Sequence, residues 1–119
     1  MQVSGGGTVN FTFAILAMGA FGVSGTSKVS GAPDTRHTAG HLGFSPGEFR
    51  FIGLIELLGV LGVTAGLFVT GIGVASAITL LLLMAGAVAS HLICGDGIRG
   101  ALLPTLAATV LTGYLITLT

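Results

Sequence analysis

Four apolar runs take up most of this chain: Val9 to Gly25, Phe51 to Val69, Ile72 to Ile93 and Ala101 to Leu118. Each approaches the roughly 20 residues an α-helix needs to cross the hydrocarbon core of a bilayer. In lipid, backbone polar groups must be satisfied within the segment, so such runs have to be helical. Of the 119 residues, 52% are hydrophobic and 7% charged, with a mean hydropathy of +1.03. A soluble domain carries about 25% charged residues, so this surface cannot face water all round. The expected fold is all-α: an antiparallel four-helix bundle, integral to the membrane and forming a single domain over residues 1–119.

Local signals set the expected boundaries at about 9–28, 46–69, 74–93 and 99–118, with a polar loop over 29–44. The first helix is the least apolar, holding Asn10, Gly19, Gly22, Ser24 and Gly25. Small residues of this kind suit burial against neighbouring helices. Within the loop, Pro33-Asp34 reads as a turn. Ser45-Pro46-Gly47-Glu48 is a capping box with proline at the first helical position, so the second helix starts there. The short Thr70–Gly73 connection makes helices two and three antiparallel neighbours. Pro104 falls in the first turns of the fourth helix, where proline is tolerated. Met1 to Gly7 has no Lys or Arg, the charged start of a secretory signal is missing, and the first run is expected to be a retained helix after a flexible glycine segment.

Charge is sparse and balanced, four Lys and Arg against four Asp and Glu. Nothing in it suggests a nucleic-acid partner. Lys28, Arg36, Arg50 and Arg99 all fall in or beside loops 29–44 and 94–98. The positive-inside rule therefore puts those loops in the cytoplasm and both termini outside, in the cell's plasma membrane. Cys94 is the only cysteine, which excludes an internal disulfide or a CxxC pair. No phosphate-binding or dinucleotide fingerprint is present, and His37-Thr-Ala-Gly-His41 lacks a clear third metal ligand, so no cofactor-binding residue and no metal site is singled out, and the cofactor is left unknown.

Inside the second run lies one carboxylate, Glu56. A charge there costs a few kcal/mol, so it is kept with a partner or for a function. Lys28, at the end of the first helix, is its expected counter-ion, with a stem long enough to snorkel. His91, near the end of the third helix, is expected at the same level, placed to donate to Glu56 or exchange a proton with it, with Asp96 and Arg99 nearby. Two readings follow: a hydrogen-bonded pin joining helices, or a catalytic or ligand site of Glu56, His91 and Lys28. The site reading expects room beside the carboxylate, at Gly59 on the same helical stripe. Gly62-x-x-x-Gly66 reads as a packing signature. Thr105, Thr109 and Thr112 are expected to face the bundle and bond their own backbone.

Gly25-Thr-Ser-Lys28, then Ile52-Gly-Leu-Ile-Glu-Leu-Leu-Gly59, then Met84-Ala-Gly-Ala-Val-Ala-Ser-His91 and Gly95-Asp96, in this order, resemble the DoxX-like family of small four-helix membrane proteins. The resemblance implies a bundle with a polar site. Relatives include membrane subunits linked to quinone-dependent sulfur oxidation and to oxidative-stress complexes, and distant ones look like assembly factors for membrane receptors.

Three functions are left open. The first is binding of a quinone-like or other amphipathic small molecule at the polar site, as a subunit of a redox-linked membrane complex. The second is a non-enzymatic scaffold or assembly factor, whose partners are a second copy or another membrane protein. The third is an intramembrane acid–base enzyme, an isomerase or epoxide-opening cyclase. A cavity at Glu56 would favour the first and third, and a solid bundle with small residues facing lipid the second.

Overall fold

The computed structural model describes residues 5–119, apart from the side chains of residues 5–7 and of Arg99. All the described secondary structure is helical: α1 (Gly5–Ser30), α2 (Pro33–Leu42), α3 (Pro46–Ala65), α4 (Thr70–Ile93) and α5 (Gly97–Leu118). Three of these contain stretches long and apolar enough to cross a membrane: Thr8–Ser30, Thr70–Ile93 and Gly100–Leu118. The 20 residues of α3 are not among them, because they carry Glu48, Arg50 and Glu56. Around the molecule, α1 packs on α3, α3 on α4, α4 on α5 and α5 on α1.

Residues 33–42, expected within a polar loop, form α2 instead. Pro33-Asp34 marks a helix start as readily as a turn: proline is pre-set for the first helical position, and Asp34 complements the positive end. Gly43, with φ +86°, closes the helix. Its N–H bonds to the Gly40 carbonyl, and that of Phe44 bonds to the Ala39 carbonyl, a left-handed ending that favours glycine. Ala39 is buried where α2 leans on α3 and α1.

The remaining ends shift by a few residues. Gly5 to Gly7, expected as part of a flexible start, belong to α1, while Ser4 lies outside the described residues. The Ser45 capping box is present in full, with Glu48 N–H on Ser45 Oγ at 3.1 Å and Ser45 N–H on Glu48 Oε1 at 2.8 Å. At its other end α3 stops at Ala65, and the chain turns over Gly66–Val69 rather than Thr70–Gly73. The cause is a close backbone approach. A Cβ on Gly66 would strike Gly73 Cα and the Tyr114 hydroxyl, so the two helices touch there.

The interior is built from small residues around a few large ones: Ala14, Ala17 and Ala77 with Phe21, Val63, Leu80, Met84, Leu111 and Tyr114. Leu58, Leu61, Leu82, Leu103 and Ile116 face outward. Apolar bulk outside and small residues between helices suit a protein whose solvent is lipid. Among the described residues no buried side-chain nitrogen or oxygen lacks a partner. Asn10 donates to the Tyr114 carbonyl and to Thr117 Oγ1, and the Tyr114 hydroxyl donates to the Val63 carbonyl at 2.8 Å. Thr105, Thr109 and Thr112 face outward, contrary to expectation. Thr109 and Thr112 do bond their own helix, to the carbonyls of Thr105 and Ala108, which lets a hydroxyl sit on an apolar face.

Candidate functional site

Two polar clusters lie where α1, α3, α4 and α5 come closest to α2. The first joins α1 to α3. Lys28 Nζ donates to Glu56 Oε1 at 2.6 Å and also to Ser24 Oγ. Glu56 is 1% exposed, whereas the Lys28 side chain keeps 16%. The Phe49 ring lies over the ammonium, its centroid 5.3 Å away, within cation–π range.

Glycines three residues before each partner make this pair possible. A Cβ on Gly53 would lie 2.6 Å from Lys28 Cβ and 2.9 Å from the Gly25 carbonyl oxygen. A Cβ on Gly25 would lie 2.9 Å from the Gly53 carbonyl oxygen. With no side chain on either, α1 and α3 meet backbone to backbone. Residues three apart share a helix face, so Lys28 and Glu56 are delivered to each other.

The room expected beside Glu56 at Gly59 is filled. A Cβ there would lie 2.6 Å from Leu80 Cδ2, and Leu80 is fully buried. Gly62 packs against Ser76 in the same way. Lys28 and Glu56 thus have the geometry of a packed pin.

His91 is placed elsewhere. Its Nδ1 lies 2.7 Å from Asp96 Oδ2, and His41 Nε2 lies 2.6 Å from Asp96 Oδ1. One carboxylate therefore ties α2 to the turn between α4 and α5. Gly100 permits the closure, since a Cβ on it would crowd Asp96 Cβ and lie 2.8 Å from His91 Nδ1. Hydrogen bonds from His91, and then from His41, hold the Asp96 carboxyl below the usual aspartate range, outweighing its slight desolvation.

With each carboxylate oxygen accepting from an imidazole, the bonded ring nitrogen carries the proton. Nε2 of a neutral His91 and Nδ1 of a neutral His41 are then acceptors. An open cleft of about 380 Å³ lies against this cluster, lined by His37, Thr38, His41, His91, Asp96 and Gly100. The arrangement can orient two imidazoles as bases and offer a proton relay at the end of the apolar helices.

Of the three residues singled out in the sequence, two meet and the third belongs to the second cluster. The loop reading of 29–44 hid His41: once helical, residues 33–42 put His37 and His41 on one face, toward Asp96. The meeting of Gly25 with Gly53 could have been found from the shared spacing Gly25-x-x-Lys28 and Gly53-x-x-Glu56. Asn10 and Tyr114 carry no such local signal.

Neither a curated protein nor a solved structure matches the chain. The model of the DoxX-like family matches residues 12–116, nearly the whole chain. With the Lys28–Glu56 pair and its flanking glycines inside the matched region, and membrane-length apolar helices around them, the chain belongs to the DoxX-like family.

Proposed function

We infer that this protein is an antiparallel four-helix membrane bundle that receives the polar head of an amphipathic, quinone-like molecule in the cleft beside Asp96. The observation that carries the reading is the Asp96 carboxylate shared by His41 and His91 on the wall of that cleft. A quinone head offers carbonyl oxygens to protonated imidazoles, and a quinol offers hydroxyls to neutral ones. The same two rings thus serve both forms, and the two protons that accompany reduction to the quinol come one from each imidazole. A two-electron step at the head draws its electrons from a partner protein, since one cysteine provides no dithiol. The tail has apolar surface to follow: Leu92 and Ile93 at the end of α4 and Leu103 on α5 are exposed.

Lys28 and Glu56 serve this site from behind, as the pin that holds α1 and α3 together beneath α2. The positive-inside bias supports a plasma-membrane protein with α2 and the α4–α5 turn on the cytoplasmic side. The Gly66–Val69 turn supports α3 and α4 as antiparallel neighbours.

The test is binding of a short-chain benzoquinone to the protein in neutral detergent, measured by calorimetry. Asp96→Asn and His91→Phe are each expected to weaken binding about tenfold or more, the loss of a hydrogen bond to a charged group, with helicity unchanged by circular dichroism. Binding that survives both substitutions at full strength overturns the reading.

A second reading, a scaffold that docks other membrane helices, is favoured by the outer face of α4. Ala75, Ala85, Gly86 and Ala89 are exposed there, and a Cβ on Gly86 would meet nothing within 4 Å. Small residues facing lipid allow close helix approach. Leucine at Gly86 would block such docking and leave quinone binding intact, which separates the two readings by co-purification of a partner.

A further inference from the structure

On the other side of α2 from the histidine cluster, Arg36 and Arg50 converge over Gly31. A Cβ on Gly31 would lie 2.9 Å from a terminal nitrogen of Arg50 and 3.4 Å from one of Arg36. Two guanidinium groups are therefore neighbours across a residue with no side chain. Gly31 has φ +70°, a left-handed conformation that glycine adopts without strain.

These cations have no protein counter-ion among the described residues. The ion pairs there are Lys28 with Glu56, and His41 and His91 with Asp96. Glu48 is engaged by Ser45. Asp34, exposed in the first turn of α2, makes no ion pair with either arginine.

Beneath the arginines is a hollow of about 10 Å³ lined by Lys28, Gly31, Thr35, Arg36, Phe49 and Arg50. That is room for about one oxygen-sized group. Pro46, the first residue of α3, closes the wall. Like charges held this close call for an anion, and paired guanidinium forks match the oxygens of a phosphate.

We propose that Arg36 and Arg50 form a phosphate-binding site at the membrane surface that takes the phosphodiester of an anionic lipid headgroup or the same oxyanion free in solution. One oxygen enters the hollow and the others take the guanidinium forks. The surface beyond favours the lipid. From Arg50, the outward stripe of α3 continues as Leu54, Leu58 and Leu61, all exposed, an apolar track along which an acyl chain can lie below a headgroup held at Arg50. This site shares no arginine with the Asp96 cleft and stands or falls separately from it.

The experiment is thermal melting of the purified protein in neutral detergent with three additives: dioleoyl phosphatidylglycerol, dioleoylglycerol with the same chains but no phosphate, and inorganic phosphate. Phosphatidylglycerol is expected to raise the melting temperature saturably, and dioleoylglycerol to leave it unchanged. Arg36→Gln with Arg50→Gln should weaken the apparent affinity roughly thirtyfold, at about fivefold per basic residue near the surface. Arg36→Lys with Arg50→Lys keeps the charge but loses the forks. It should fall between the two, and carries the test if the glutamine pair does not fold. Protection by inorganic phosphate, lost in the same variants, would also support the site and assign it to the free anion. Equal protection by phosphatidylglycerol and dioleoylglycerol overturns the proposal, as does a substituted protein that responds like its parent.

Discussion

Replacing Lys28 with methionine keeps most of the stem and removes the charge, leaving Glu56 with no partner at 1% exposure. Breaking a buried pair from one side costs about 3–5 kcal/mol, because the stranded charge remains desolvated. The opposite change, Glu56→Leu, is expected to cost less. Lys28 keeps Ser24 as a partner and its side chain is 16% exposed, so it can turn toward the interface. The loss is then near that of one hydrogen bond to a charged group, about 1.5–3 kcal/mol. Glu56→Gln should be milder still, since an amide oxygen can accept from Lys28. The double replacement, Lys28→Met with Glu56→Leu, removes both charges and fills the space with apolar atoms. It should return to within about 1 kcal/mol of the parent, as replaced buried pairs often do. Reversible unfolding in mixed micelles, followed by circular dichroism, measures the four variants against the parent. Single-site costs that simply add, with a coupling below about 0.5 kcal/mol, would show two independent residues and refute the pin.

Gly59→Leu should overpack against Leu80 and destabilise by about 1–3 kcal/mol in the same assay; an unchanged melting temperature would mean space exists beside Glu56. The Asp96 carboxyl sits below its unfolded value of about 3.9, so its contribution to stability is fully present above that pH. It is lost as the pH falls from there through the depressed folded value. The melting difference between parent and Asp96→Asn should therefore hold at pH 7 and shrink steadily below about pH 5. Tyr114→Phe, which strands the Val63 carbonyl, should cost about 1–3 kcal/mol. Single cysteines at His41 and Thr119, in a Cys94→Ala background, should label from opposite faces of a vesicle; labelling from the same face would break the four-span topology.

The membrane character and the helices were open to reading along the chain because lipid imposes a one-dimensional rule. Every span must satisfy its own backbone and present apolar side chains over a fixed length, so the runs around Ala14, Leu80 and Leu111 announce themselves. The Ser45 cap was equally legible, being complete within four residues. Glu56 and Lys28 stood out because charges within apolar runs need a partner, and each was the other's nearest candidate in helix register. α2 was missed because Pro33-Asp34 starts turns and helices alike. What made it a helix is the burial of Ala39 against α3 and the His41 contact with Asp96, 55 residues away. Only tertiary packing decided that Leu80 occupies the space at Gly59, which gives the Lys28–Glu56 pair the geometry of a pin. Packing also carried His91 away from Glu56 to share Asp96 with His41, and gathered Arg36 and Arg50 over Gly31. Sequence spacing sets which residues share a helix face, but the rotation and depth at which two helices meet is fixed where Gly25 touches Gly53 and Gly66 touches Gly73, and those contacts join residues that no local pattern connects.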